Sequence, residues 1–355
     1  MSKPRALWLV VALLVLGLFT ACGETQDDQD QAAGQSSGEE QQANPEGEIK
    51  QGLRIVSMPK QLGNPYEEIE HGGVAKAAEE LGAQHEIVGP TDAGASSQVP
   101  LIQSTMQQDP DAFIIAGNDP NAVAPALKQM SDRGIAVGSM DSDVASDARA
   151  FFVNQATTEE IGKAQIEMVS EQIGGKGQIA ILSATANAPN QNSWIEVMEA
   201  ELEKPEYSDL ELVEIAYGDD DDQKSFQETQ GLMQAYPDLK AIIAPTTVGI
   251  AAAARYICDS RYRDQVKVTG LGTPNQMRKF VKDGCVEEFA LWSPEDVGYL
   301  AGYAAAALAS GIITGAEGET FEAGKLGEYT IGPEGEIVLG PPTRFNAENI
   351  DDFDF

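Results

Sequence analysis

From residue 52 onward, short apolar runs alternate with longer stretches in which apolar side chains recur at helical spacing. Apolar runs of about four to eight residues between helical stretches are typical of buried parallel strands. The first set predicts strands 53–58, 85–88, 112–117, 135–140 and 151–155, and helices 64–81, 97–108 and 122–133. Asn64, Pro65 and Glu67 mark the start of the first helix as its N-cap, first-turn proline and capping-box acid. This order indicates βαβ units and a parallel sheet.

The alternation then starts again and continues almost to the end of the chain. The second set predicts helices 159–173, 191–203, 223–236, 248–258, 275–282 and Pro294–Ser310, and strands 178–183, Leu210–Tyr217, 241–244, 266–271 and 286–291. Two such sets predict an α/β protein with two doubly wound parallel-sheet lobes, joined by a hinge of strands that cross near 153–156 and 289–292. Two short apolar runs around Pro333 predict a closing hairpin. We assign 51–153 and 292–325 to the N-terminal lobe, and 154–291 and 326–355 to the C-terminal lobe.

The first 22 residues have the pattern of an export signal. Lys3 and Arg5 precede an apolar run at 6–19, and two small residues lead to Cys22. The run is shorter than the roughly 20 residues that a membrane-spanning helix needs, so we expect it to be removed after export. A cysteine at the cleavage point resembles the lipobox of bacterial lipoproteins, and residues 1–22 are therefore predicted to be a lipoprotein signal peptide. The alternative is an ordinary secretory signal that leaves a free Cys22 thiol.

Residues 23–50 are rich in acids, Gln, Gly and Ser, and predict a disordered acidic tether. The whole chain holds 57 acidic and 23 basic residues, a net charge of −34. Nucleic-acid binding requires a basic surface, so this charge argues against it. It also argues against adhesion of the body to anionic lipids, and limits membrane contact to a lipid anchor.

The few cysteines and histidines limit the possible chemistry. Cys258 and Cys285 are compatible with a disulfide in an exported domain or with two buried thiols. Neither they nor His71 and His85 have the spacing of a zinc site, and we expect no bound metal. The acidic run 219–222 stands where a helix is predicted to begin and lacks the spacing of a calcium-binding loop, so we interpret it as helix capping.

Polar side chains gather at the predicted carboxyl ends of the strands, where ligands bind in open parallel sheets. In both lobes these positions carry amides, hydroxyls, aromatic rings and a few charges: Lys60, Asn64, Tyr66, Asn118, Asp119, Asp141, Asn187, Asn190, Gln191, Pro245, Thr246, Thr247 and Trp292. Polyols suit such a set, because each hydroxyl both donates and accepts hydrogen bonds while the C–H face of a sugar ring packs on an aromatic side chain. No nucleophile with an adjacent base is evident, and neither histidine falls on these loops.

The chain resembles a known family over residues 52–355, the solute-binding proteins of bacterial ABC sugar importers, which have the type I periplasmic binding protein fold. The motifs that carry the resemblance are MPK (58–60), GNPY (63–66), HGG (71–73), DSD (141–143), FFVNQ (151–155), NQNSW (190–194), IIAPTTVGIAAAA (242–254), FALW (289–292) and NIDDFDF (349–355). The similarity is greatest to the branch that contains rhamnose-binding and autoinducer-2-binding proteins.

The resemblance implies specific roles in a sugar site. Ligand hydroxyls would be held by Lys60 and Asp141 from the first lobe and by Asn190 and Gln191 from the second, with Pro245, Thr247, Tyr66 and Trp292 completing the pocket. Autoinducer-2 receptors have Asp at the position of Asn190 and Ala at that of Thr247. Both differences favour the rhamnose side of the branch.

The resemblance therefore implies a monomeric, extracytoplasmic lipoprotein that delivers a monosaccharide, L-rhamnose, to an ABC permease. We expect it to be anchored on the outer face of the cytoplasmic membrane through Cys22, with no cofactor, no catalytic residues and no nucleic-acid partner. One alternative is a receptor that reports autoinducer-2 or another sugar as a signal. A more remote alternative is an exported enzyme on the same scaffold.

Overall fold

A computed structural model describes residues 42–355 of the chain, so the signal peptide and most of the expected tether lie outside the described residues. The helices are α1 (Pro65–Glu80), α2 (Val99–Met106), α3 (Pro120–Asp132), α4 (Thr158–Ile173), α5 (Pro189–Leu202), α6 (Asp222–Ala235), α7 (Thr247–Cys258), α8 (Pro274–Lys282) and α9 (Pro294–Ser310). In the described part of the chain, no helix has the length and apolar character needed to cross a bilayer.

The strands form two parallel sheets and two short antiparallel pairs. They are β1 (Arg54–Met58), β2 (Gln84–Ile87), β3 (Ala112–Ile115), β4 (Ala136–Met140), β5 (Phe151–Asn154), β6 (Gly177–Ser183), β7 (Leu210–Tyr217), β8 (Leu239–Ala244), β9 (Lys267–Gly270), β10 (Glu288–Leu291), β11 (Thr320–Glu322), β12 (Glu328–Thr330), β13 (Glu336–Val338) and β14 (Thr343–Asn346). The first sheet has the order β13-β5-β4-β3-β1-β2, and the second has β7-β6-β8-β9. The predicted α/β fold with two parallel-sheet lobes is confirmed.

The local signals explain why these elements form. All four residues of β3 are buried, as expected for a central strand covered by helices on both faces. Asn64 caps α1 by accepting a hydrogen bond from the Tyr66 N–H, and Pro65 occupies the first turn. Helices α1 and α9 pack closely because glycines stand at their contact: a Cβ on Gly298 would overlap the carbonyl of Glu70. This close packing against α9 fixes the position of the first turns of α1 within the first lobe.

The predicted closing hairpin is wrong. Strand β12 pairs with β11, whereas β13 runs parallel to β5 at the edge of the first sheet. The segment of β13 therefore belongs with the first lobe rather than with the second, to which 326–355 was assigned. Its Ile337 is fully buried there, which explains why the chain returns to this edge. Residues 339–342 then lead to β14, which pairs with β10, so the chain passes between the lobes a third time.

The expected disorder of the tether does not extend to residue 50. Asn44 donates its backbone N–H to the Gly311 carbonyl at 2.9 Å, and the Lys50 ammonium donates to the Ala309 carbonyl at 2.9 Å. Carbonyls at a helix C-terminus lack partners within the helix, so these donors satisfy the end of α9. Ile49 packs against the main core and supplies the apolar anchor that composition alone did not reveal.

The structure joins Cys258, the last residue of α7, to Cys285 in a disulfide. We predict that the double variant Cys258→Ala/Cys285→Ala loses about 3 kcal/mol of unfolding free energy, because the bond closes a loop of 27 residues in the unfolded chain. Urea unfolding of the exported protein measures this loss, and reduction of the wild-type protein is the matched control. Mass spectrometry that finds both thiols free in unreduced protein would contradict the prediction.

Candidate functional site

A small cavity lies where the carboxyl ends of β1 and β4 face the beginnings of α5 and α7. Its lining combines charged, amide, hydroxyl and aromatic side chains with a few aliphatic ones: Lys60, Asn64, Tyr66, Glu67, Asp141, Gln191, Trp194, Asp220, Pro245, Thr246, Thr247, Leu271, Leu291 and Trp292. The cavity therefore lies between residues of the two lobes.

Lys60 reaches from the end of β1 to the second lobe. Its ammonium group donates to Asn190 Oδ1 at 3.3 Å and to Gln191 Oε1 at 3.2 Å. Both amides stand in the first turn of α5. The Asn118 side chain donates to the Lys60 carbonyl at 2.9 Å and so holds the loop in place. Lys60 thus places a positive charge in the cleft, with acceptors on the opposite lobe.

Asp141 follows β4 in a left-handed backbone conformation, with φ of 57°. Such a conformation is uncommon for any residue other than glycine and is often found at functional sites. Its Oδ1 accepts from the Tyr66 hydroxyl at 3.1 Å, and its Oδ2 accepts from Asn190 Nδ2 at 3.2 Å. A carboxylate held in this way presents its remaining acceptor capacity to the cavity.

Three aromatic rings form one wall of the cavity. Trp292 Nε1 donates to the Tyr66 hydroxyl at 2.7 Å, and the two rings meet edge to face with centroids 6.4 Å apart. Trp194 packs on Trp292 with centroids 5.8 Å apart. Such contacts hold aromatic rings in fixed orientations and leave a face on which the C–H groups of a sugar can pack.

The lining contains one basic side chain, Lys60, and three carboxyls, those of Glu67, Asp141 and Asp220. Burial raises the pKa of Asp141 to about 7 against the opposing effect of Lys60. Burial likewise raises the pKa of Glu67 to about 7. The pKa of Glu70, which lies beneath the cavity, is raised well above its usual range, first by burial and then by the charge of Asp141. Near neutral pH the carboxyls of Asp141, Glu67 and Glu70 are therefore protonated part of the time, so that they can donate as well as accept hydrogen bonds.

Most of the residues predicted from the sequence come together here. Lys60, Asn64, Tyr66, Asp141, Gln191, Pro245, Thr247 and Trp292 line the cavity. Asn190 is not part of this lining, but it is hydrogen-bonded to two residues that are, Lys60 and Asp141. Asn118 lies outside the lining, because its side chain is used to hold the backbone of Lys60. That Asn118 contacts a ligand stays a prediction.

Three further lining residues were not predicted from the sequence: Glu67, Trp194 and Asp220. Glu67 was interpreted as a capping-box acid, but its side chain is buried and lines the cavity. Within 219–222, Asp221 does cap α6 through the Lys224 N–H at 2.7 Å, whereas Asp220 turns inward and accepts from the Thr246 hydroxyl. Trp194 could have been found, because it stands one helical turn after Asn190 and therefore shares its face of α5.

Comparisons with known proteins agree with this geometry. Residues 55–312 match the family described as "Periplasmic binding protein domain". A sugar ABC transporter structure from Actinomyces odontolyticus is 53% identical, with a TM-score of 0.70, and the match covers 85% of this chain and 98% of that one. An ABC transporter solute-binding protein from Clostridium phytofermentas with bound L-rhamnose is 37% identical, with a TM-score of 0.82 and the same coverage. The D-ribose/D-allose-binding protein of Pseudomonas aeruginosa is 23% identical over 66% of this chain and 75% of its own length.

Tyr66→Phe should lower the free energy of unfolding by about 1–3 kcal/mol, because it leaves the buried Trp292 N–H without its acceptor. Urea unfolding monitored by fluorescence measures the change. The matched control is Tyr236→Phe, which removes an exposed hydroxyl bonded to Glu214 and should change stability by less than about 0.5 kcal/mol. Equal losses in the two variants would show that the Tyr66 hydroxyl does not organise the aromatic wall.

Proposed function

Because the chain belongs to the periplasmic binding protein family, we propose that this sugar-binding protein of an ABC transporter takes one monosaccharide, L-rhamnose, into the cavity between its lobes. The observation that carries the proposal is the chain of hydrogen bonds from Lys60 through Asn190 to Asp141 across the cleft. Each of these side chains can exchange its present partner for a ligand hydroxyl. Binding of a sugar would thus draw on both lobes at once.

The lining chemistry supports a sugar over other small molecules. Lys60 and Gln191 offer donors, and Asp141 and Gln191 offer acceptors, so that both roles of a hydroxyl are matched. Trp194 and Trp292 supply the aromatic surface that the C–H face of a pyranose needs. These features favour a sugar as the ligand.

Two observations support L-rhamnose in particular. The solute-binding protein that is 37% identical over 85% of this chain was solved with that sugar bound. A 6-deoxy sugar carries one methyl group among its hydroxyls, and the lining places Leu271, Leu291 and Pro245 beside the polar side chains. Burying a methyl group against such residues is favourable by about 0.8 kcal/mol. Autoinducer-2 and ribose are the competing ligands for the test.

The export pattern of residues 1–22 supports a location outside the cytoplasm. We propose that the protein is exported, anchored by a lipid on Cys22 and held near the permease to which it delivers the sugar as a monomer. The acidic segment before residue 44 would serve as the tether between the anchor and the binding lobes. Its charge would keep it away from anionic headgroups.

At a pH above 7, where Asp141 is ionised, Asp141→Ala should weaken L-rhamnose binding by at least ~100-fold, because an ionised carboxylate that accepts two hydroxyl bonds contributes about 1.5–3 kcal/mol for each. Isothermal titration calorimetry measures the affinity, and circular dichroism verifies the fold. Asp132→Ala, at an exposed position in α3, is the matched control and should bind like the wild-type protein. Absence of heat with L-rhamnose, but tight binding of autoinducer-2 or ribose, would refute the ligand assignment and leave the family intact.

The lipid anchor has a test of its own. When the full chain is expressed in a bacterium that processes lipoproteins, the mature protein should partition into the detergent phase of Triton X-114, and its first residue should be a lipid-modified Cys22. Cys22→Ser should move the protein to the aqueous phase without changing its sugar affinity. A mature wild-type protein in the aqueous phase with a free Cys22 thiol would instead indicate an ordinary secretory signal.

A further inference from the structure

Beneath the sugar cavity, one face of α1 carries three potential metal ligands. Glu67, Glu70 and His71 are spaced so that they lie on adjacent turns of the helix. Their side chains are almost completely buried, with exposed fractions of 3%, 0% and 1%. One ligand atom from each residue lies within 4.8 Å of the other two. The cluster also neighbours the sugar site, because Glu67 lines the cavity.

Each of the three side chains has a buried atom that lacks a hydrogen-bond partner in the described part of the protein. These atoms are Glu67 Oε2, Glu70 Oε2 and His71 Nε2. Buried polar atoms are nearly always bonded, and leaving one unpaired costs about 1–3 kcal/mol. Three unpaired atoms in one cluster therefore indicate a group that they share.

The hydrogen bonds around His71 are compatible with a cation as that group. Ser57 Oγ lies 2.6 Å from His71 Nδ1 and 2.7 Å from His85 Nε2. A serine hydroxyl has one hydrogen, so at least one of the two rings must donate to it. When His71 donates from Nδ1, its Nε2 carries a lone pair that faces Glu67 Oε2 at 3.5 Å. Metal-bound histidines usually have this arrangement, in which the second ring nitrogen is fixed by an outer hydrogen bond.

The charges in this region also call for a cation. Glu67, Glu70, Asp141 and Asp220 are buried together, and Lys60 is the basic side chain among them. Buried charges without compensation are costly by several kcal/mol each. When all four acids are ionised, a divalent ion between Glu67 and Glu70 would change the net charge of the group from −3 to −1.

We propose that Glu67, Glu70 and His71 form a binding site for one divalent transition-metal ion, with Zn²⁺ as the representative. One imidazole and two carboxylates are a ligand set typical of zinc. With zinc–ligand bonds of 2.0–2.2 Å, two ligands in tetrahedral geometry are about 3.4 Å apart. The 3.5 Å between His71 Nε2 and Glu67 Oε2 agrees with that spacing. The ion would fix two carboxyls directly below the sugar-binding side chains.

The test measures metal binding without any sugar, so that its result is independent of the ligand assignment. Untagged mature protein is treated with a chelator, incubated with Zn²⁺ in excess Mg²⁺, desalted and analysed by inductively coupled plasma mass spectrometry. We expect one zinc per chain and a rise of several degrees in the melting temperature. Zinc X-ray absorption should show one imidazole and carboxylate oxygens around the ion.

Glu70→Gln and His71→Gln should bind at least ten times less zinc and lose the rise in melting temperature. Glu79→Gln removes an exposed acid from the same helix and should bind zinc like the wild-type protein, which controls for adsorption to the acidic surface. Circular dichroism verifies that the variants fold, and the isosteric Glu70→Gln is the decisive one. Less than one zinc per chain in the wild-type protein, or equal zinc in folded Glu70→Gln, would overturn the proposal.

Discussion

The central constraint on this molecule is the burial of several carboxyls around one lysine. Lys60, Asp141 and Asp220 line the same cavity, with Glu67 beside them. Charges removed from water must be paired or hydrogen-bonded, and the surrounding side chains do this from both lobes. Asn190 accepts from Lys60 and donates to Asp141, so a single amide links the cation of the first lobe to its carboxylate. A ligand rich in hydroxyls can replace such links without leaving a charge unpaired.

The fold holds these charged side chains in place on strands and helices that are themselves packed into the core. Asp141 directly follows a buried strand, and its left-handed backbone directs the side chain between Tyr66 and Asn190. Tyr66 stands in the first turn of α1, whose position is set by the glycine contacts with α9. Because β13 returns to the first sheet before β14 joins β10, the lobes are linked by three passages of the chain. Three links restrict how one lobe can move relative to the other more than two would.

Much of the fold follows from local patterns, and much of the site follows from the topology. The helix and strand order was predicted because the buried strands are continuous apolar runs and the helices between them repeat apolar side chains at helical spacing, with start signals such as Asn64 and Pro65 before α1. Lys60, Asp141, Gln191 and Thr247 were predicted because parallel strands bring their carboxyl ends to one edge. Glu67 and Asp220 were missed because an acid at the start of a helix has a sufficient local explanation as a cap. The pairing of β13 with β5 was missed because partner choice is non-local, and its short apolar run fits a hairpin equally well.

The charge arrangement also explains why position 190 carries an amide. Asn190 Nδ2 lies 3.2 Å from Asp141 Oδ2, and its Oδ1 lies 3.3 Å from the Lys60 ammonium. An aspartate at this position would satisfy Lys60 but would bring two carboxylates into contact, and one of them would then have to be protonated. A protonated pair can donate a hydrogen bond, whereas the amide provides a donor and an acceptor at every pH. Asn and Asp at this position therefore leave Lys60 and Asp141 with different hydrogen-bonding partners, even where the rest of the cavity is the same. This one side chain thus sets the hydrogen-bonding state of two charged groups that line the cavity.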